Sequence, residues 1–183
     1  MFSCGYQTNN TTPHCFVIAV NCHIEAQSYA IDPSYSRRGF VYLNGVDVWN
    51  ASWTGFVDNR GEHILLIDPF HCSVQESRRF DTFYTPFAAV QLADDASTEL
   101  ADYLKSLSQD SIIVVVTAYD VTYRNQLANA QPTLKELGVD LPDSKGAFAF
   151  VAQKGFPEKT VLTTTGKRVV DRPYFDAVVT GRL

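Results

Sequence analysis

The side chains here whose chemistry stands out first are four cysteines, Cys4, Cys15, Cys22 and Cys72. Their spacings fit neither a CxxC redox pair nor paired zinc knuckles, so disulfides are the expected chemistry. Three of the four lie in the first 22 residues, where bridges would tether an N-terminal arm, about 1–24, that otherwise frays. Two bridges allow three pairings, and the spacing selects none of them; four buried thiols in a reducing compartment are the competing reading. The histidines, His14, His23, His63 and His71, show no metal-ligand spacing, and His63 falls inside a strand pattern where a satisfied sheet residue is expected. Asp94-Asp95 reads as a solvated helix face rather than an acid/base pair. HExxH, GxSxG, Walker, GxGxxG and EF-hand patterns are absent. The expectation is a non-catalytic protein with no metal and no cofactor.

The elements that must position these residues are mostly short strands. Residues 16–20 are an apolar run bounded by polar residues. Residues 40–43 and 46–49 flank Asn44-Gly45, whose tolerance of positive φ suits a type I′ hairpin turn. Residues 63–67 form a strand stopped at Asp68-Pro69, and one near 74–80 pairs back across it. From Pro86 the period changes to that of an amphipathic helix (Phe87, Val90, Leu92, Leu100, Tyr103, Leu104, Leu107), with a possible break near Asp94-Asp95. Ile112 to Val116 is a β-branched run fit for a sheet interior covered on both faces. A second helix starts near Pro132 and ends at Gly138, preceded by a helical turn within 124–130. Residues 147–152 are a strand with phenylalanines on one face, and 160–180 hold one or two more. Together these give an α+β fold: a single globular domain, 1–183, of twisted, largely antiparallel sheets flanked by short helices.

Composition narrows the partners. Hydrophobic residues make up 45% and charged ones 19% of 183 residues, which suits a folded chain. A net charge of −5 provides no basic stripe for nucleic acid, and no apolar run approaches the roughly 20 residues a membrane span needs. The first twenty residues place Cys4, Asn9, Asn10 and Pro13 ahead of Phe16, which is no signal peptide. Export is expected instead from the cysteines and from three glycosylation acceptor triplets, beginning at Asn9, Asn10 and Asn50.

Several spaced motifs carry a resemblance. Asn59-Arg60-Gly61-Glu62-His63-Ile64-Leu65-Leu66-Ile67-Asp68 resembles the "RGxxVVVxD" strand of the interleukin-like EMT inducer (PANDER-like) family, and Arg79-Phe80-Asp81-Thr82-Phe83-Tyr84 resembles its "FDTY" motif. Ile112 to Asp120, then Leu137-Gly138, then Phe148 to Gly155 follow in the family's order, and the match covers roughly half the chain. The family includes secreted cytokine-like proteins, domains of hyaluronan-handling surface proteins, and the stem domain of protein O-mannose N-acetylglucosaminyltransferase, which binds terminal β-linked N-acetylglucosamine. The resemblance implies ligand contacts at Arg60 and Asp120. It implies a third near Lys145, where the family's arginine has become a lysine lacking the planar fork of donors. The family's tryptophan in "WAF" is also lost, with Phe148 near its place.

The implied site makes physical sense. A sugar ring presents an apolar C–H face and a rim of hydroxyls, so it wants an aromatic platform beside charged hydrogen-bonding groups. Trp53, Phe56, Tyr119 and Tyr123 lie close in sequence to Arg60 or Asp120 and would supply the platform. If the strands after Arg60 and Lys145 both run antiparallel to the one before Asp120, the three residues meet at one edge of the sheet. A structural ion pair between Arg60 and Asp120, and core packing for the aromatics, are the alternatives. The expectation is a secreted lectin for glycans ending in N-acetylglucosamine or a related N-acetylated sugar, made multivalent by homo-oligomerisation. The alternative is a secreted cytokine-like ligand acting on a protein receptor.

Overall fold

The structure is a computed structural model and describes residues 2–5, 14–17, 22–29, 39–50, 61–82, 90–118, 127–141, 147–164 and 176–182. Among these residues the strands are β1 (Phe2–Gly5), β2 (His14–Val17), β3 (His23–Tyr29), β4 (Phe40–Leu43), β5 (Val46–Asn50), β6 (Gly61–Asp68), β7 (Ser73–Phe80), β8 (Ile112–Ala118), β9 (Phe148–Gln153), β10 (Phe156–Thr164) and β11 (Asp176–Arg182). The helices are α1 (Val90–Ser106) and α2 (Gln131–Glu136).

Strand β8 organises the rest because its seven residues, IIVVVTA, are all buried. A strand apolar on both faces needs cover on both. It pairs antiparallel with β6 on one side and β9 on the other, and β7 and β10 extend that order outward. A second wing, in the order β11-β3-β4-β5, is also antiparallel. The wings join into one nine-stranded sheet through a single parallel pairing, Tyr29 opposite Ala118. Strands β1 and β2 form a separate pair.

Side-chain alternation divides the core in two. Leu65, Ile67, Ile112, Val114, Val116, Ala149 and Val151 face the second wing, packing with Ile24, Ala26, Val41 and Leu43. The intervening residues, Ile64, Leu66, Ile113, Val115, Phe148 and Phe150, face Leu100, Tyr103 and Leu104 of α1 and Leu134 of α2. The result is three layers: helices, the β8 wing, and the β3 wing. Each fully buried branched side chain contributes about 1.5–3 kcal/mol. Across the layers, the Lys154 ammonium donates to the main-chain oxygens of Leu104, Lys105 and Leu107 at the end of α1, where helix carbonyls lack intrahelical partners and a cation is favoured.

The predicted hairpin is present, with Asn44 at φ +50° and Gly45 at +79°, and Ser73–Phe80 pairs back across β6. The second helix and the tail strands also form. Two boundaries differ. The first run is a strand at His14–Val17, and residues 18–20 lie outside the described residues. The expected break at Asp94-Asp95 does not occur, since α1 runs unbroken through it. Aspartate costs a helix well under about 1 kcal/mol, and Leu100, Tyr103 and Leu104 anchor the helix. Pro86 lies outside the described residues. His63 is a buried sheet residue with Trp49 packed against its ring, centroids 4.6 Å apart.

Candidate functional site

Three strand ends converge at one end of the β8 wing. Strands β6 and β9 both run antiparallel to β8, so the start of β6, the end of β8 and the start of β9 lie together. Gly61 stands opposite Ala118, and the end of β3 arrives at the same corner through Tyr29. The antiparallel condition that would gather Arg60, Asp120 and Lys145 is therefore met by the strands. The residues themselves, Arg60, Asp120, Lys145, Trp53, Phe56, Tyr119 and Tyr123, lie outside the described residues. The nearest described neighbours of Arg60, Asp120 and Lys145 are Gly61, Ala118 and Ala147.

Gly61 has φ +98°, and a Cβ there would stand 2.2 Å from the Phe80 carbonyl oxygen and 3.1 Å from the Thr82 nitrogen. A glycine directly after Arg60 thus lets the 80–82 segment close on the corner, with Thr82 fully buried.

Beneath the corner lies a buried polar cluster that the sequence reading missed. Glu62, Thr117 and Ser28 are each 0% exposed. Regular pairing of β8 with β9 stops at Val116 opposite Ala149. At the next position Ser28, from the other wing, replaces the ladder bond: its hydroxyl accepts from the Thr117 amide at 2.8 Å and donates to the Phe148 carbonyl. The Thr117 hydroxyl accepts from the Phe148 amide at 3.3 Å. Its one proton is shared between Glu62 Oε2, 3.0 Å away, and the Phe148 carbonyl at 3.1 Å. Burying a carboxylate costs several kcal/mol unless hydrogen bonds compensate it. The visible signals were a glutamate opening an otherwise apolar strand and a threonine closing a β-branched run.

A concavity of about 810 Å³ lies between β7 and α1. In its lining, Arg78 donates to Glu76 at 2.6 Å and sits 4.5 Å above the Tyr103 ring. Burial, and then the Glu76 charge, hold the Tyr103 phenol above its ordinary range. Among the described residues no His/Cys/Asp/Glu group could hold a metal ion.

The fold and corner define an α+β domain of layered, mostly antiparallel sheet with its converging strand ends at one edge. A model of the interleukin-like EMT inducer family matches residues 60–156, more than half of the chain and the stretch from β6 into β10. The chain belongs to the interleukin-like EMT inducer family. None of the curated proteins compared with it matches.

Proposed function

We propose that this domain is a secreted, non-catalytic carbohydrate-binding protein whose site lies at the corner where β6, β8 and β9 end. The observation that carries the reading is the antiparallel arrangement of these three strands, whose ends adjoin Arg60, Asp120 and Lys145. Arg60 and Lys145 would donate to ring hydroxyls or the acetamide oxygen, and Asp120 would accept from hydroxyls or the acetamide N–H. Trp53, Tyr119 and Tyr123 would supply the apolar platform. The preferred ligand is a glycan ending in N-acetylglucosamine or a related N-acetylated sugar, as the family resemblance at Arg60 and Asp120 implies. A shallow site binds one sugar weakly, so useful avidity calls for a homo-oligomer. The Cys22–Cys72 disulfide supports an oxidising, extracellular setting.

Action on a protein receptor is the alternative, and a contiguous exposed apolar patch would favour it. Among the described residues the large exposed apolar side chains, Val46, Phe70 and Val161, sit on β5, the β6–β7 turn and β10. A glycan array combined with a solution mass measurement tests the proposal. Retention of N-acetylated glycans by an oligomer supports it whole; a monomer that retains them removes the valency claim. A monomer that retains no glycan but engages a receptor replaces it.

A further inference from the structure

We infer that Glu62, Thr117 and Ser28 are positioning residues for the ligand site, forming a buried clasp that sets the spacing of its three strand ends; this rests on the carbohydrate-binding reading. Each strand that leads to a proposed contact residue is held by the clasp within three residues of it. Glu62 is two residues after Arg60, Thr117 three before Asp120, and Phe148, whose amide and carbonyl both bond into the clasp, three after Lys145. Ser28 ties the same point to the β3 wing.

The placement is unlike ordinary sheet pairing. An uninterrupted ladder would bond the Thr117 amide directly to the Phe148 carbonyl and hold β8 and β9 at the usual strand spacing. With the Ser28 hydroxyl between those two groups, the strands separate at these ends. The gap is filled by side-chain oxygens rather than by an apolar plug. Three contact residues that adjoin three strand ends must be held within about 0.5 Å to bind one ring well. A hydrogen-bonded support at the strand ends provides that constraint, and the buried Glu62 carboxyl bonded to the Thr117 hydroxyl resists small displacements because a lost bond is costly there.

The test uses the full chain and two substitutions of Thr117. Thr117→Val keeps the shape and removes the hydroxyl, whereas Thr117→Ser keeps the hydroxyl. Affinity for N,N′-diacetylchitobiose is measured by calorimetry at a temperature where each variant is fully folded, and amide hydrogen exchange is measured in parallel. The expected result is a loss of about tenfold or more for Thr117→Val, equivalent to about 1.4 kcal/mol, with Thr117→Ser near the wild type. Exchange should quicken at the Gly61, Ala118 and Phe148 amides but not at Leu65 or Val114. If Thr117→Val does not fold, Ser28→Ala is read out in the same way. A folded variant with wild-type affinity, or one whose exchange rises uniformly or not at all, overturns the inference. If the wild type itself does not bind the disaccharide, the proposed function fails. The exchange pattern then decides the clasp separately: quickening confined to the three strand ends supports it, and any other pattern overturns it.

Discussion

Cys22 and Cys72 are bonded to each other across the two wings of the sheet, one directly before β3 and the other in the turn between β6 and β7. The Tyr29–Ala118 pairing lies at the far end of β3, so the wings are joined at both ends. In the small β1–β2 pair, Cys4 stands opposite Cys15, a register suited to a cross-strand bridge. Two disulfides, 22–72 and 4–15, are therefore expected. Thiol titration of the unreduced, denatured protein should find no free thiol, and peptide mapping should return these two pairs. Removing the first by Cys22→Ala with Cys72→Ala should cost about 2–4 kcal/mol in denaturant unfolding, given the 50-residue separation.

Acid should loosen the turn that carries Cys72. The Asp68 carboxylate accepts from His71 Nδ1 at 2.6 Å and from the Phe70 amide at 2.7 Å. The imidazole bond first, and the amide second, hold its pKa below the ordinary 3.8. A depressed folded-state pKa means the stabilisation is fully present above the unfolded value and is lost as pH falls through the folded one. Melting temperature should thus fall below about pH 4 partly on account of this group. Asp68→Asn should flatten that part of the profile; an unchanged acid limb would show the contribution to be negligible.

Lys154 should matter for stability more than a surface lysine does. Its ammonium reaches three carbonyls at the end of α1, and charge-assisted bonds of this type are worth more than neutral ones. Lys154→Met keeps most of the stem and removes the donors. It should lower unfolding free energy by about 1–3 kcal/mol, with faster amide exchange in the last turn of α1.

Gly61→Ala should damage the corner more than the rest of the fold. The new methyl would lie 2.2 Å from a main-chain oxygen that cannot rotate away, on a backbone at φ +98°. The expected cost is on the order of 2–3 kcal/mol. Sugar affinity should fall even at temperatures where circular dichroism shows a folded protein.

Much of this architecture was legible in the sequence, because its strongest signals are local. The continuous β-branched run of β8 requires cover on both faces, and Asn44-Gly45 dictates its own turn. The missed features are tertiary. That α1 continues through Asp94-Asp95 depends on an apolar face further along the helix. No pattern within one strand could show that Ser28, 89 residues from Thr117, inserts its hydroxyl between β8 and β9. Glu62 was visible as a polar residue in an apolar strand, but its burial depends on Thr117, 55 residues away. The pairing of Cys22 with Cys72 likewise needed both wings in place. For the site itself, family resemblance in the sequence suggested the proposed contact residues, and the structure supplied the antiparallel strands whose ends adjoin them.

The strand-end corner is proposed to bind N-acetylated sugars. Calorimetric titration of the wild type and of Asp120→Ala with N-acetylglucosamine and with glucose tests it most directly. The expected result is saturable binding of N-acetylglucosamine, weaker or no binding of glucose, and a loss of about ten- to a hundredfold for Asp120→Ala with its melting temperature preserved, since one charged acceptor is worth roughly 1.5–3 kcal/mol. No binding of either sugar by the folded wild type, or undiminished binding by an Asp120→Ala protein that melts early, would contradict it.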